Sequence, residues 1–290
     1  MELAVSSLAT IAWLSVVWVL FRARRALTGT TLLGGWRWAV IGSVAWTVAW
    51  AERFLGPWAY ADQLWYLAAV LMLCPALAAL GARRPVCRVW DFFVVLPLIL
   101  ALGWSAAASA WGHRDRPDAW GLDEPVIVGF LFVLVMGGGN YLPTRYVLAA
   151  LAWGAGLLCI VLPLSPWWGR GNWDAGRAWG TLLMSAAFWL AWQSKVNAVG
   201  MFEHPLGRVW SDFRHDFGLV WARRIQDRFN LMAEKERWPE RITLEGFEAA
   251  KMPVATPSSG ETPSRGPTSE YTVRWLLRRF VDPEWIDARL

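Results

Sequence analysis

Long apolar stretches separated by short charged clusters make up the first two thirds of the chain. A helix needs about 20 mainly apolar residues to cross the hydrocarbon core of a bilayer. Seven stretches approach this length, at about residues 3–21, 32–51, 63–82, 92–111, 125–143, 146–165 and 178–194. The pattern predicts an all-α integral membrane protein: a polytopic bundle with about seven transmembrane helices over residues 1–196, followed by a helical cytoplasmic tail.

Charge inside these stretches is scarce. Their central parts hold serine and threonine but no Asp, Glu, Lys or His. Since ion-coupled carriers use intramembrane charges as relays, this distribution argues against a proton-coupled transporter. Arg37 lies near the start of the second stretch and must reach the interface or find a partner. The second stretch is therefore where the predicted helix count is weakest.

The distribution of arginines predicts the orientation. Arg22, Arg24 and Arg25 follow the first stretch and no basic residue precedes it, an order typical of an anchor with its N-terminus outside. Eight arginines then fall on the inner side and five on the outer side, where most of the acidic residues also lie. The expectation is a multi-pass protein of the cell's inner (cytoplasmic) membrane, with its C-terminal tail in the cytoplasm.

The tail, from residue 197 onward, has a different pattern. Within residues 197–250, apolar residues at intervals of three and four predict an amphipathic helix with a basic opposite face. Residues 251–270, rich in Pro, Ser, Thr and Gly, predict a flexible linker, and residues 271–290 predict a short C-terminal helix. Such segments lie on an anionic leaflet, bind a partner, or pack on their own bundle. The residues predicted to contact a partner or the membrane surface are Arg214, Phe217, Trp221, Arg224, Arg228, Arg274, Arg278 and Arg279.

Composition supports the membrane class. The chain is 56% hydrophobic and 18% charged, with a net charge of +5 that cytoplasmic loops explain. The expected partners are the lipid bilayer and other membrane or cytoplasmic protein subunits, with no nucleic acid. The three cysteines form no CxxC pair and indicate neither a disulfide framework nor a metal site.

The chain contains 24 tryptophans. Because indoles favour both membrane interfaces, an interfacial belt is the preferred interpretation. The alternative is an outer aromatic platform that binds a flat ligand, a quinone, a pigment or a partner subunit. The candidate cofactor-binding residues for that alternative are His113, Trp120, Trp167, Trp168 and Trp173.

Residues 165–174 read Ser-Pro-Trp-Trp-Gly-Arg-Gly-Asn-Trp-Asp and lead into a helix. This segment resembles the Trp-rich external loop of the haem-handling WWD proteins of cytochrome c assembly. The likeness covers these ten residues, and the Pro-Lys-Glu that usually follows the aspartate is absent. The resemblance implies a haem contact on the outer face, for which His113 is the available histidine.

No catalytic residues are predicted, and an enzyme is the less favoured class. The first functional hypothesis is a non-catalytic multi-pass membrane protein: a subunit, scaffold or receptor-like component of a membrane complex. The alternatives are a haem- or pigment-handling protein that uses the Trp-rich outer face, and a carrier for an apolar substrate.

Overall fold

A computed structural model describes residues 2–56, 58–112, 120–167, 173–197, 204, 206–249 and 268–290 of the protein. The chain forms two compact units, which we call the helical bundle (Met1–Ala198) and the C-terminal unit (Val199–Leu290). Both consist mainly of helices, so the predicted all-α class is confirmed.

A helical segment covers each of the seven predicted stretches in the bundle. The helices are α1 (Glu2–Ala26), α2 (Leu33–Leu55), α3 (Ala61–Leu80), α4 (Cys87–Trp90), a π-helical turn (Asp91–Val95), α5 (Leu96–Gly112), α6 (Glu124–Gly139), α7 (Val147–Val161), a 3₁₀ turn (Leu162–Leu164) and α8 (Trp173–Val196).

Four helical segments within the described residues are long and apolar enough to cross a membrane. They are Ala4–Ala26, Ala61–Leu80, Cys87–Ser109 and Val147–Leu164. Glu124–Gly139 is apolar but shorter. The last turn of α2 and the first turns of α8 carry charged side chains, and Glu52 of α2 pairs with Arg177 of α8.

Helix α3 lies at the centre of the bundle, since two thirds of its apolar window is buried. It packs on α2, α5, α6 and α7. The Tyr66 hydroxyl donates to the carbonyl of Leu102 in α5 at 3.0 Å. The Trp153 indole of α7 donates to the carbonyl of Met72 at 3.1 Å. The helices that flank α3 are thus tied to it through polar atoms as well as by apolar packing.

Glycines set the closest helix contacts. A Cβ atom on Gly35 or Gly42 of α2 would lie 3.2 Å from a backbone oxygen of α3. In α7 and α8, Gly156 and Gly180 face each other, and a Cβ on either would lie 3.1 Å from the other's carbonyl oxygen. Small residues let backbones approach this closely, which is the usual basis of tight helix packing in membranes.

The C-terminal unit contains α9 (Gly207–Lys235), β1 (Glu240–Ile242), β2 (Phe247–Ala249), α10 (Ser269–Leu277) and α11 (Pro283–Asp287). The two strands pair antiparallel, with Ile242 opposite Phe247. The predicted linker of residues 251–270 lies outside the described residues except for its last three. Of these, Thr268 caps the N-terminus of α10 and accepts a hydrogen bond from the Tyr271 amide at 3.2 Å.

Helix α9 is interrupted at Gly218, whose φ of 79° and ψ of −179° are non-helical. Only glycine adopts this conformation without strain. The amphipathic pattern predicts one continuous helix here, because residue spacing carries no signal of a single left-handed residue. The chain instead forms two helical halves with a break between Phe217 and Leu219.

The apolar side of α9 is covered by the unit's own chain. Phe213 and Phe217 are completely buried, and the Phe280 ring meets them edge-on at 5.2 and 5.4 Å. The Trp221 ring lies 4.9 Å from Phe280. The C-terminal residues after α10 therefore complete an aromatic core with α9.

Candidate functional site

Four tryptophans form a connected cluster inside the helical bundle, which we call the tryptophan cluster: Trp13, Trp46, Trp50 and Trp65. The ring centroids of Trp13 and Trp46 are 5.7 Å apart, those of Trp46 and Trp65 5.3 Å, and those of Trp50 and Trp65 6.0 Å. Each side chain is at most 4% exposed. The cluster joins α1, α2 and α3 through aromatic contacts.

Every indole N–H of this cluster donates to a side chain of another helix. These hydrogen bonds offset the cost of removing four indole N–H groups from water. The acceptors are Thr47 for Trp13 (2.9 Å), Thr181 for Trp46 (3.1 Å), Thr10 for Trp50 (3.1 Å) and Glu52 for Trp65 (3.2 Å). The three threonine hydroxyls also donate to the carbonyl four residues earlier in their own helices. Each hydroxyl is thus both donor and acceptor, so no polar atom of these pairs is left unpaired.

The interfacial-belt interpretation does not account for these residues. Trp50 and Trp65 lie in the core of the bundle, away from any surface that a lipid headgroup could reach. Hydroxyl and carboxylate acceptors on facing helices are the physical reason, because they remove the cost of burying an indole N–H.

A charged cluster lies beside Trp65, where α2 ends and α3 and α8 begin; we call it the Arg177 cluster. The Arg177 guanidinium pairs with Glu52 at 3.3 Å and with Asp62, and it lies 3.9 Å from Asp174. It also lies over the Trp65 ring, 5.7 Å from the centroid. The side chains of Arg177 and Glu52 are only 14% and 13% exposed, whereas Asp174 is 62% exposed.

The Arg177 cluster joins three helices through one cation. Arg177 belongs to α8, Glu52 to α2 and Asp62 to α3. The guanidinium therefore pairs with carboxylates of two other helices at once. The adjoining pocket, lined by Asp62, Trp65, Arg177 and residues of α7 and the 3₁₀ turn after it, has room for about one water molecule. The geometry therefore suits an electrostatic clamp between helices.

Arg37, the charge that the sequence places in the second span, lies near Asp91 of the π-helical turn. Its positive charge acts on the Asp91 carboxylate, and the Trp38 indole donates to the same carboxylate at 3.4 Å. Gly34 lies beside the second oxygen of Asp91. Arg37 thus has an acidic group within electrostatic reach at the start of α2.

The predicted outer ligand site is described only in part. Trp120 is half-buried, 5.8 Å from the Tyr66 ring. Trp167 is 54% exposed, and its indole donates to Glu124 at 3.3 Å. The segments that carry these two tryptophans lie side by side, joined by a 2.9 Å bond from the Leu122 amide to the Leu164 carbonyl.

The side chains of the other three candidate ligand-binding residues are not among those that the structure describes. His113 and Trp168 lie outside the described residues, and Trp173 is described only as the first residue of α8. Within the described ranges, no group of three or more His, Cys, Asp or Glu side chains is placed to hold a metal ion. A haem or pigment site on this face stays a prediction.

The predicted contact residues of the tail divide into two sets. Phe217 and Trp221 belong to the aromatic core of the C-terminal unit, where Phe217 is completely buried and Trp221 is 7% exposed. Phe217 therefore stabilises the unit itself and presents no surface for a partner. The arginines that lie on the exterior are Arg224, Arg228, Arg278 and Arg279.

Two further arginines of the tail make contacts within the C-terminal unit. Arg214 donates to the Leu244 carbonyl. Arg274 pairs with Asp287 at 2.6 Å and with Glu270 at 2.9 Å. The hydrogen bond to Asp287 is the main cause that raises the pKa of Arg274 above its ordinary value. These two side chains fasten α9 to the hairpin and α10 to α11.

One helix of the C-terminal unit presents both aromatic and basic groups outward. Tyr271, Trp275, Arg278 and Arg279 of α10 and its C-terminal end are exposed, while Val273, Leu276 and Leu277 face the core. The Arg279 guanidinium lies 5.6 Å from the Trp275 ring centroid. We call these four exposed residues the α10 face.

No protein-family model, no curated protein and no solved structure matches the chain.

Proposed function

We propose that this chain is a non-catalytic, multi-pass membrane protein that recruits a protein partner through its C-terminal unit. In this proposal all seven helical segments cross the inner membrane, the N-terminus lies outside, and the C-terminal unit lies in the cytoplasm. The apolar side chains that point away from the bundle support membrane insertion. Examples are Ile11, Val17, Phe93, Phe132 and Val135, each at least 65% exposed.

The observation that carries the recruiting role is the α10 face. The aromatic side chains of α9 are buried in the core of the C-terminal unit, so they are not available to a partner. Tyr271 and Trp275 are 59% and 38% exposed beside Arg278 and Arg279. Aromatic and arginine side chains carry most of the binding energy in protein interfaces. A partner with an acidic surface and an apolar pocket fits this face.

Photo-crosslinking in cells tests the recruiting role. A photoreactive residue at position 275 is expected to give a protein adduct, and R278E/R279E in the same chain is expected to abolish it. The matched control places the photoreactive residue at Leu231, which is 69% exposed on α9. Adducts with lipid alone at position 275, or the same protein adducts at both positions, would reject the partner role.

A further inference from the structure

Three arginines lie at the C-terminal end of α1 and have no acidic partner within the described part of the chain. Arg22, Arg24 and Arg25 are all exposed and lie in the last turn and a half of the helix. No ion pair joins any of them to an acidic side chain among the residues that the structure describes. Three uncompensated positive charges therefore lie within four residues. Each retains its capacity to bind an anion.

Each of these guanidinium groups is held over an aromatic ring. The distances to the ring centroids are 5.0 Å for Arg22 over Trp18, 5.5 Å for Arg24 over Trp36 and 4.7 Å for Arg25 over Phe21. Because a stacked guanidinium keeps its N–H edges free, the rings restrict the side chains without consuming their donors.

Two of the three rings, those of Trp18 and Trp36, make contacts between helices. Trp18 stacks on Trp189 of α8 at 5.4 Å, with 14° between the planes, and Trp192 meets it edge-on at 5.9 Å. Trp189 donates to the Ser15 hydroxyl at 2.7 Å. On the other side, the Trp36 indole of α2 donates to the Leu20 carbonyl of α1 at 2.9 Å. Arg22 and Arg24 thus extend from rings that are held in place.

An apolar stripe on α1 leads up to the arginines. Its exposed members, each 54–67% exposed, are Leu8, Ile11, Leu14, Val17 and Phe21. Helix α1 therefore presents an apolar stripe, then the partly exposed Trp18 indole, then three guanidinium groups, with Trp36 of α2 beside them. This order matches the acyl-chain, interfacial and headgroup layers of one bilayer leaflet.

We propose that Arg22, Arg24 and Arg25 form a binding site for the phosphate-bearing headgroup of anionic phospholipids. The guanidinium groups hydrogen-bond the phosphate oxygens, and the apolar stripe of α1 contacts the acyl chains. A protein partner with carboxylates would leave that stripe uncovered. The inference rests on the proposed location of the bundle in a bilayer.

Native mass spectrometry of the full-length protein tests the site. The protein is mixed in detergent with phosphatidylglycerol or with phosphatidylcholine, and bound lipids are counted at each concentration. Because each basic residue near an anionic surface contributes a factor of about five in affinity, R22Q/R24Q/R25Q is expected to lose on the order of a hundredfold for phosphatidylglycerol only. Glycerol phosphate is not expected to compete, since it lacks the acyl chains.

The matched control is R53Q. Arg53 lies over the Trp50 ring at 5.8 Å, at the opposite end of α2 from Trp36, so it repeats the chemistry away from the proposed site. Equal loss of phosphatidylglycerol in R53Q and in the triple variant would overturn the proposal, as would undiminished binding in the triple variant. If the triple glutamine variant fails to fold, R22K/R24K/R25K replaces it. That variant is expected to bind phosphatidylglycerol more weakly than the wild type, and unchanged binding contradicts the guanidinium geometry.

A separate measurement distinguishes this inference from the proposed membrane insertion. The wild type and the triple variant are reconstituted in vesicles of phosphatidylcholine alone and extracted with alkaline carbonate. Both are expected to stay in the pellet. Extraction of the wild type would reject insertion itself, whereas retention of both proteins with equal phosphatidylglycerol binding would reject only the headgroup site.

Discussion

At the scale of single residues, hydrogen-bond acceptors and charge pairing determine what the bundle can bury. Trp46 is completely buried because Thr181 accepts its N–H. Arg177 is shielded because Glu52 and Asp62 surround it. Removing one partner of a shielded ion pair costs more than the pair gains, since the remaining charge stays desolvated.

We expect Arg177→Gln to lower the free energy of unfolding by about 3 kcal/mol, because it removes the guanidinium that pairs with the carboxylates of Glu52 and Asp62. The thermal midpoint in one mild detergent measures the effect. Arg223→Gln is the control, because the Arg223–Asp227 pair on α9 is more than half exposed and contributes about 0.5 kcal/mol. Glu52→Gln combined with Arg177→Gln is expected to regain part of the loss. Equal midpoints for the two single variants would refute the clamp.

At the scale of helices, glycine positions determine how closely α7 and α8 approach. Gly156 and Gly180 meet backbone to backbone, and a Cβ at Gly180 would also lie 3.0 Å from Ile160. The Ile160 contact is with the terminal Cδ1 atom of its side chain, but the Gly156 contact is with a backbone oxygen, which cannot rotate away. The helix pair must therefore separate to accept any larger residue.

Gly180→Ala is expected to destabilise the bundle by about 1–3 kcal/mol through overpacking, although alanine has the higher helix propensity. Gly139→Ala at the end of α6 is the control, because its added Cβ would meet nothing within 4 Å. Thermal unfolding midpoints of the two variants, measured in the same detergent, test this expectation. A rise for Gly180→Ala as large as that for Gly139→Ala would show that the α7–α8 contact is loose.

At the scale of the whole molecule, the number of crossings determines where the C-terminal unit lies. Seven crossings place Ala59 outside and Thr28, Leu142 and Glu248 inside. All four side chains are exposed in the structure. The three native cysteines, of which Cys74 is buried, can be replaced by alanine to give a background for single-cysteine variants.

We expect a membrane-impermeant thiol reagent applied to intact spheroplasts to label only Ala59→Cys. The variants Thr28→Cys, Leu142→Cys and Glu248→Cys should react only after lysis. Labelling of Glu248→Cys from outside, with Thr28→Cys protected, would mean an even number of crossings and would remove the cytoplasmic location of the C-terminal unit.

The sequence predicts the helices of the bundle well because uninterrupted apolar stretches are a local signal. Predicted and observed ends, such as 63–82 against Ala61–Leu80, differ by a few residues. Contacts between residues that are far apart in the sequence produce no local pattern from which they could be predicted. Trp46 and Thr181 are 135 positions apart, so neither the cluster nor its acceptors follow from spacing. The Arg177 cluster is not predictable for the same reason, because its charged residues lie at the ends of three different helices.

The tail shows a different limit of sequence analysis. The period of its apolar residues correctly indicates helix, but the period alone does not determine what covers the apolar side. The apolar side of α9 is covered by Phe280 and the segment after α10. This segment is separated from α9 in the sequence by residues 250–267, which lie outside the described residues. The left-handed Gly218 within Asp-Phe-Gly likewise gives no periodic signal.

The tryptophan cluster is also an intrinsic spectroscopic probe of packing in the bundle. Indoles with centroids 5.3–6.0 Å apart couple their excited states, and such coupling depends on the angle and separation of the rings. Near-ultraviolet circular dichroism, which fixed aromatic packing generates, therefore follows the relative placement of α1, α2 and α3. Loosening of this helix trio can be observed optically in the unlabelled protein, before any helix unwinds.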